Sequence, residues 1–221
     1  MTTRFIFVRH GETEWNKDRK YQGMSDIPLT KRGLTQAGYA REALKNRHID
    51  ACYSSPLKRA FRTAEEIMVE HASEPAAIYD LHEQRLGVWE GMYVDDIATQ
   101  YPEEFHNWWY VPSRNRIPEG ETFQETQARM VRVFRQLEET ERGHSVLVVA
   151  HMVCLSTLLL HIAGLPLDEI WQHPISNCGI CEVLVEDSVP RITVWNENNH
   201  LPEEDRRKRP GGFDPNKKEE S

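Results

Sequence analysis

The chain has 221 residues, of which 39% are hydrophobic and 28% charged, and its formal net charge is −8. This length suits one domain with a sizeable core, and the acidic balance argues against binding to a nucleic-acid backbone. The longest apolar run, within residues 146–162, is interrupted by histidines and falls short of a membrane span. The apolar run within the first eight residues is too short for a signal peptide, so the expected location is the cytoplasm.

Strands and helices are predicted to alternate along the chain. The apolar run at residues 4–8 predicts a buried first strand that ends in a polar loop. Further strands are predicted at residues 49–53, 78–81 (strand or turn), 146–150, 181–185 and 191–195, and helices at residues 30–46, 57–70, 94–100, 103–109, 121–141 and 152–163. This alternation favours an α/β fold with a mostly parallel central sheet.

Residues 1–201 are expected to form one domain that contains an irregular lid segment at about residues 84–121. The lid segment is rich in aromatic residues: Trp89, Tyr93, Tyr101, Phe105, Trp108, Trp109 and Tyr110. Residues 202–221 carry six acids and six bases with almost no apolar side chain, a composition typical of a flexible tail.

Two of the four cysteines, Cys178 and Cys181, form a C-x-x-C motif that could serve redox or metal chemistry. The chain has no second C-x-x-C to complete a zinc site. We therefore expect Cys178, Cys181, Cys52 and Cys154 to be free and structural in a reducing compartment.

Several polar side chains follow predicted strands at the point where each strand ends. His10 follows the first strand, Ser54 and Arg59 the second, and His151 the strand at residues 146–150, while Glu83 follows the segment at residues 78–81. Because ligands bind at the carboxyl ends of parallel strands, these side chains are expected to converge on one crevice. Arginines there, with Arg59 near a helix N-terminus, favour an anionic ligand.

The loop after the first strand adds groups suited to an anion. Arg9 beside His10 is unusual at the end of a buried strand, and Gly11 allows the backbone to approach a ligand closely. Thr13 and Asn16 supply small polar donors. The segment Arg9-His10-Gly11-Glu12-Thr13 is more specific as a whole than any of its members.

Four segments, in order, resemble the histidine phosphatase superfamily, which includes the cofactor-dependent phosphoglycerate mutases. They are Val8-Arg9-His10-Gly11-Glu12-Thr13, then residues 54–64, then Glu83 with residues 87–91, and then Val148-Val149-Ala150-His151. The resemblance covers roughly residues 4 to 200. It implies a phosphoglycerate mutase-like fold, a three-layer α/β/α sandwich.

The resemblance also implies roles for these residues. His10 would attack phosphorus and form a phosphohistidine, while Arg9, Arg59 and His151 would surround the phosphoryl oxygens. Glu83 would protonate the leaving group and then activate water. His10 would have to be unprotonated, with its pKa lowered by arginines, whereas His151 would serve best as a cation whose pKa a bound phosphate raises. The expected substrate-binding residues are Asn16, Thr13, Gln22, Gly23 and Met152, and neither a metal nor another cofactor is expected.

One position departs from the family pattern. The histidine at the fourth segment is most often followed by glycine, and here Met152 stands in that place. Met152 still offers a backbone amide. Its side chain is expected to narrow the mouth of the pocket and so to affect substrate geometry rather than the catalytic residues.

Three other functions compete with a phosphatase. A mutase would need additional basic residues over the site, and the segment from 92 to 121 offers only Arg114 and Arg116. A non-catalytic phosphate-binding protein would not need the complete set of catalytic residues, and a metal hydrolase would suffer from arginines that repel a cation. We therefore expect a phosphatase of small phosphomonoesters, such as phosphoserine, sugar phosphates, glycerate phosphates or α-ribazole phosphate. It would bind neither nucleic acid nor membrane and would be a monomer or homodimer.

Overall fold

The computed structural model of the protein describes residues 2–206 and centres on a six-stranded sheet. Its strands are β1 (Thr2–Arg9), β2 (Ala51–Ser54), β3 (Pro75–Ala77), β4 (Ser145–Ala150), β5 (Ile180–Glu186) and β6 (Val189–Glu197), in the spatial order β3-β2-β4-β1-β5-β6. The first four of that order run parallel, and β5 and β6 are antiparallel additions. The predicted mostly parallel α/β sheet is confirmed.

Alternate residues of the central strands pack against helices on opposite faces of the sheet, as the two-residue period of a strand requires. On one face, Phe5 and Phe7 of β1 pack with residues of α6 (Phe123–Thr140) and α7 (Met152–Ala163). On the other face, Ile6 and Val8 pack with α2 (Lys31–Leu44) and α3 (Lys58–Met68). This arrangement is the three-layer α/β/α sandwich that the sequence predicted.

A third apolar cluster lies under the lid segment, outside the two faces of the sheet. It joins the short helices α4 (Val94–Gln100) and α5 (Pro102–Tyr110) to the start of α6 and to α7. Met152, Val153 and Leu160 of α7 belong to it together with Trp89 and Trp108. Because α7 contributes to both this cluster and the sandwich, the lid is packed directly on the helix that follows β4.

The ends of the helices match the capping residues in the sequence. Thr30 caps α2 by accepting a hydrogen bond from Gly33 N, as predicted. Thr122 and Glu125 form a capping box at the start of α6. Gly164 ends α7 in the left-handed conformation. A small helix, α1 (Glu14–Lys17), which the sequence did not reveal, follows the loop after β1.

The segment before Glu83 forms a turn, which is one of the two alternatives, strand or turn, expected at residues 78–81. The strand lies earlier, at β3, and Tyr79–Leu81 form one turn of 3₁₀ helix. Backbone pairing with β2 ends at Ala77, and Ile78 N then bonds to Ser54 O. The chain therefore turns back over the edge of the sheet and brings Glu83 above the ends of the strands.

The domain extends a few residues beyond the predicted boundary at 201. Residues Glu203–Asp205 form a 3₁₀ turn in which Asp205 is buried. Its carboxylate accepts hydrogen bonds from Arg32 and from Gln36 Nε2, each at 2.7 Å. Gln36 Oε1 in turn accepts from Glu12 N at 2.9 Å. The predicted tail from 202 is thus packed as far as residue 206, and residues 207–221 lie outside the described residues.

The four cysteines are buried and free, as predicted, and their structural role stays a prediction. Burial raises the pKa of the Cys52 and Cys181 thiols to about 12. Among residues 2–206, the longest apolar helices are still too short or too polar to cross a bilayer.

Candidate active site

Two histidines meet at the edge of the sheet where the neighbouring parallel strands β1 and β4 end. His10 follows β1, and its backbone N–H donates to Ala150 O at the end of β4 at 3.0 Å. His151 follows β4 and is the N-cap residue of α7. Both imidazoles are buried, and their ring centroids lie 5.1 Å apart. The predicted convergence of His10 and His151 is confirmed.

His10 presents Nε2 as an unprotonated nitrogen. Burial, together with the charges of Arg59 and Arg9, holds the pKa of His10 well below its usual range. Its Nδ1 lies 2.7 Å from Gly11 O, and because a carbonyl oxygen only accepts, Nδ1 carries the proton. The neutral ring therefore keeps its electron pair on Nε2, as a nucleophile requires.

The loop that holds His10 is fixed by backbone contacts. Asn177 Nδ2 donates to His10 O at 2.9 Å, and Gly11 N donates to Thr63 Oγ1 in α3 at 3.1 Å. A Cβ at Gly11 would collide with the carbonyl of Gly33 at the start of α2, so the loop can pass only with glycine there. The position of the ring is thus set by β1, α2 and α3 together.

His151 has the opposite tautomer. Arg59 Nε donates to His151 Nδ1 at 3.2 Å, so the proton lies on Nε2, which is 2.8 Å from Ser55 Oγ. Burial, and then the charge of Arg59, hold the pKa of His151 well below its usual range. The expectation that His151 is a cation is therefore not met in this structure. Its predicted response to a bound phosphate stays a prediction.

Arg59 is buried, and its guanidinium joins the loop of Gly23 and Ser25 to His151. Besides His151, it donates to Ser25 O at 2.7 Å and to Gly23 O at 2.8 Å. These bonds leave one N–H on each terminal nitrogen, and Arg59 lines the cleft beside His10. Burial lowers the pKa of Arg59 to about 10, which still leaves it charged at neutral pH. Arg9 lines the same cleft and donates to Ile175 O at 2.7 Å.

Gly23 is the other position that requires glycine. Its φ is +49°, in the left-handed region, and a Cβ there would collide with the Glu90 carboxylate. That carboxylate accepts hydrogen bonds from Met24 N and Leu86 N, so it holds the loop of Gly23 against the lid. The carbonyl that receives Arg59 is thereby fixed.

Asn16 and Gln22 turn their carboxamides in a defined direction. Thr13 Oγ1 lies 3.1 Å from Asn16 Oδ1 and 3.0 Å from Gln22 Oε1, and Thr13 N also donates to Asn16 Oδ1. With both oxygens turned to Thr13, the NH₂ groups remain for the cleft that Asn16 and Gln22 line. Thr13 itself is buried behind them and is absent from the described cleft lining. Its predicted contact with substrate is replaced by a role in orienting two donors.

Glu83 lies at the N-terminus of α7. Its Oε2 accepts from Val153 N at 3.3 Å, and its Oε1 accepts from Cys154 N at 3.3 Å and from Gln84 N at 2.9 Å. A helix N-terminus stabilises negative charge through its unpaired amides and its dipole. Four of the five predicted catalytic residues line this cleft: Arg9, His10, Arg59 and Glu83. The fifth, His151, is buried and contacts Arg59.

A buried ion pair that the sequence analysis missed holds the segment of Glu83. Arg129 and Glu121 are both buried, and their closest approach, between Nη2 and Oε2, is 3.0 Å. Arg129 Nη1 donates to Asp80 O at 2.6 Å and to His82 O at 3.0 Å, while Glu121 accepts from Arg85 N at 3.0 Å. The pair thus bonds to the backbone on both sides of Glu83.

Four tryptophans and one tyrosine are among the described residues that line the cleft. The lid contributes Trp108 and Trp109, and the walls also include Trp15, Tyr21 and Trp171 from elsewhere in the chain. Met152 lines the cleft, and its buried side chain packs in the lid cluster.

The described lining residues do not include Arg114 or Arg116, but they include two bases that we did not predict, Arg19 and Lys20. The local positive charge expected of an acidic protein that binds an anion is therefore present.

Metal ions in proteins are bound mostly by histidine, cysteine, aspartate and glutamate side chains. Within residues 2–206, no group of three or more histidine, cysteine, aspartate and glutamate side chains is arranged to hold a metal ion. The independence of the reaction from metal stays a prediction for experiment.

Comparison with known proteins agrees with this geometry. Residues 5–198 match the family model of the histidine phosphatase superfamily, branch 1. Phosphoserine phosphatase 1 of Hydrogenobacter thermophilus is 31% identical over 205 residues, which are 90% of this chain and 95% of that protein. An Escherichia coli protein named "Probable phosphoglycerate mutase GpmB" is 34% identical over 194 residues, 85% of this chain and 87% of that protein.

A solved structure supports the same assignment. Bacillus stearothermophilus YhfR superposes with a TM-score of 0.87 at 31% identity, covering 90% of this chain and 98% of that one. This chain belongs to the histidine phosphatase superfamily.

Proposed function

We propose that the protein is a metal-independent phosphomonoesterase that hydrolyses a small phosphorylated metabolite through a phosphohistidine on His10. The observation that carries this proposal is the neutral, Nδ1-protonated ring of His10, whose Nε2 shares a cleft with Arg9 and Arg59. Its similarity to a phosphoserine phosphatase supports hydrolysis, and its membership of the superfamily supports phosphoryl transfer.

In the first step, His10 Nε2 attacks phosphorus, a P–N bond forms and the P–O bond to the leaving group breaks. The remaining N–H groups of Arg59, with Arg9 and the amides of Asn16 and Gln22, would stabilise the charge on the phosphoryl oxygens. Glu83 would give its proton to the leaving oxygen. In the second step Glu83 takes a proton from water, the water oxygen bonds to phosphorus, the P–N bond breaks and inorganic phosphate leaves.

The test of this function is hydrolysis of p-nitrophenyl phosphate by the purified protein in the presence of EDTA. We expect the rate to be the same with and without the chelator, because the described site stabilises the phosphoryl group with arginines. Loss of turnover on chelation would show that the metal-free mechanism is wrong. A panel of phosphoserine, sugar phosphates, 3-phosphoglycerate and α-ribazole phosphate then identifies the substrate.

Phosphoglycerate mutase activity is the second candidate function. It is favoured by the similarity to the E. coli protein and by Arg19 and Lys20, since a mutase needs additional bases over its site. The interconversion of 3-phosphoglycerate and 2-phosphoglycerate, measured beside phosphate release, separates the two. Arg114 and Arg116 of the lid are not among the described residues that line the cleft, which favours the phosphatase, and net release of phosphate is the expected outcome.

Glu83→Gln is expected to slow alkyl phosphates by about 10²- to 10⁴-fold and p-nitrophenyl phosphate much less, since only a poor leaving group needs a proton. Glutamine keeps the size of the side chain and one oxygen, which can accept from Cys154 N and Gln84 N as Glu83 Oε1 does. The measurement is kcat for both kinds of ester, and Glu103→Gln, an exposed position in the lid, is the matched control. Equal slowing of both esters would rule out the acid role of Glu83.

A further inference from the structure

The cleft has a second basic group besides the arginines near His10. Arg19 and Lys20 line it from the segment that follows α1, and the aromatic residues Trp15, Trp108 and Trp109 line it as well. The proposed function uses Arg9 and Arg59 for the phosphoryl group and leaves Arg19 and Lys20 without a role. In a chain of net charge −8, two adjacent bases at a ligand cleft call for a ligand of opposite charge.

Lys20 is held in place by its backbone and by two aromatic rings. Lys20 N donates to Trp15 O at 2.9 Å, and Lys20 pairs with Tyr93 of the lid in an isolated antiparallel bridge. The ammonium lies 4.3 Å from the centroid of the Tyr93 ring and 5.6 Å from that of Trp15. Cation–π contacts orient an ammonium group without neutralising it. Lys20 therefore presents a full positive charge at a fixed position.

Arg19 is held in a similar way. Its carbonyl accepts from Val94 N at 3.1 Å, and its φ of +58° is a conformation that a residue other than glycine keeps only when neighbours fix it. Its guanidinium lies 3.7 Å from the Asp95 carboxylate, whose side chain is 86% exposed. An ion pair so open to water is weak, so Arg19 keeps much of its capacity to bind another anion.

We propose that Arg19 and Lys20 form a second anion-binding subsite, which receives a carboxylate carried by the leaving group of the phosphomonoester. This proposal rests on the proposed function, because it takes the phosphoryl group to lie at His10. A carboxylate fits better than a second phosphate, since Asp95 offsets part of the charge of Arg19. The aromatic walls suit a carbon skeleton that joins the two anionic groups.

The subsite can be tested by binding, independently of turnover. The probes are 4-(carboxymethyl)benzylphosphonate and its neutral twin, 4-(carbamoylmethyl)benzylphosphonate, neither of which can be hydrolysed at a P–C bond. We expect the wild-type protein to bind the carboxylate probe about five- to tenfold more tightly by isothermal titration calorimetry, the range of one or two partly solvated charge contacts. The preference should shrink at high salt because the charges are screened.

Variants assign the preference to the two residues. Lys20→Met keeps an unbranched apolar stem beside the rings, and together with Arg19→Gln it should bring the two dissociation constants together. Lys17→Met is the matched control, because Lys17 is an exposed lysine in α1 outside the described cleft lining. That variant should keep the full preference, although it removes one positive charge as Lys20→Met alone does.

Equal binding of the two probes by the wild-type protein would overturn the subsite, as would a preference that survives in the double variant. The proposed function has its own readout in p-nitrophenyl phosphate turnover. If the preference is found and turnover is not, the subsite stands and the phosphatase proposal fails. If turnover is found without the preference, the phosphatase proposal stands and the subsite is overturned.

Discussion

Replacement of His10 by asparagine is expected to lower kcat for p-nitrophenyl phosphate by at least about 10⁴-fold, the order of loss seen when an enzymatic nucleophile is removed. Asparagine retains a side-chain N–H for Gly11 O, so the loop between β1 and α1 should keep its conformation. What is lost is the electron pair on Nε2, which no described neighbour supplies at the same place. Arg9 and Arg59 are positively charged, and His151 Nδ1 already accepts from Arg59.

The intermediate provides a second readout of the same change. Wild-type protein quenched during turnover of a labelled substrate should carry phosphate in an acid-labile, alkali-stable linkage, as expected of a phosphohistidine, and the asparagine variant should carry none. His161→Asn, at an exposed position in α7, is the matched control and should behave as wild type. Labelling of the His10 variant at the wild-type level would assign the nucleophile to another residue.

Arg129→Met is expected to destabilise the fold by about 3–5 kcal/mol, because it leaves the buried Glu121 carboxylate with only the exposed guanidinium of Arg85, 3.8 Å away, as a cationic neighbour. Two backbone carbonyls, those of Asp80 and His82, lose a donor at the same time. The measurement is the free energy of unfolding from urea denaturation. Arg132→Met, at an exposed position in the same helix, should change it by no more than about 0.5 kcal/mol.

A double variant separates the unpaired charge from the loss of packing. Adding Glu121→Gln to Arg129→Met removes the buried charge and keeps an acceptor for Arg85 N. It should therefore restore about 1–3 kcal/mol relative to Arg129→Met alone. If the two changes were simply additive, or if Arg129→Met cost less than about 1 kcal/mol, the pair would not support the segment in the way described.

The parts of the fold that could be predicted depend on local patterns. The apolar runs of β1 and β4 and the helix caps at Thr30 and Gly164 depend on residues close together in sequence, so the sequence alone indicates them. The tetrad of His10, Arg59, Glu83 and His151 was predictable because strand ends of a parallel sheet share one edge. The strand β3 at Pro75–Ala77 was not predicted, since its pairing with the distant strand β2 decides where it lies.

The parts of the site that were missed depend on contacts between distant segments. Ser55, not its neighbour Ser54, contacts His151. Successive side chains of an extended chain point to opposite sides, so a shift of one residue decides which serine faces the ring. Trp171 lies far from the lid in sequence, so nothing local marks it as a wall of the cleft. Arg129 left a signal, because it lies three residues after Thr126 and four before Val133 on the inward stripe of α6. A charge at such a position predicts a buried partner.

The contact between Glu83 and the start of α7 has a consequence for how charge moves during the proposed reaction. When Glu83 gives up its proton, a negative charge appears on the carboxylate that accepts from Val153 and Cys154. The positive end of α7 is thus directed at the proton donor, while side-chain cations surround the phosphoryl group. The N-terminus of α7 would then stabilise the charge on Glu83, and the arginines would stabilise the charge on the phosphoryl oxygens, in the same transition state. Neither group of donors would have to stabilise both charges.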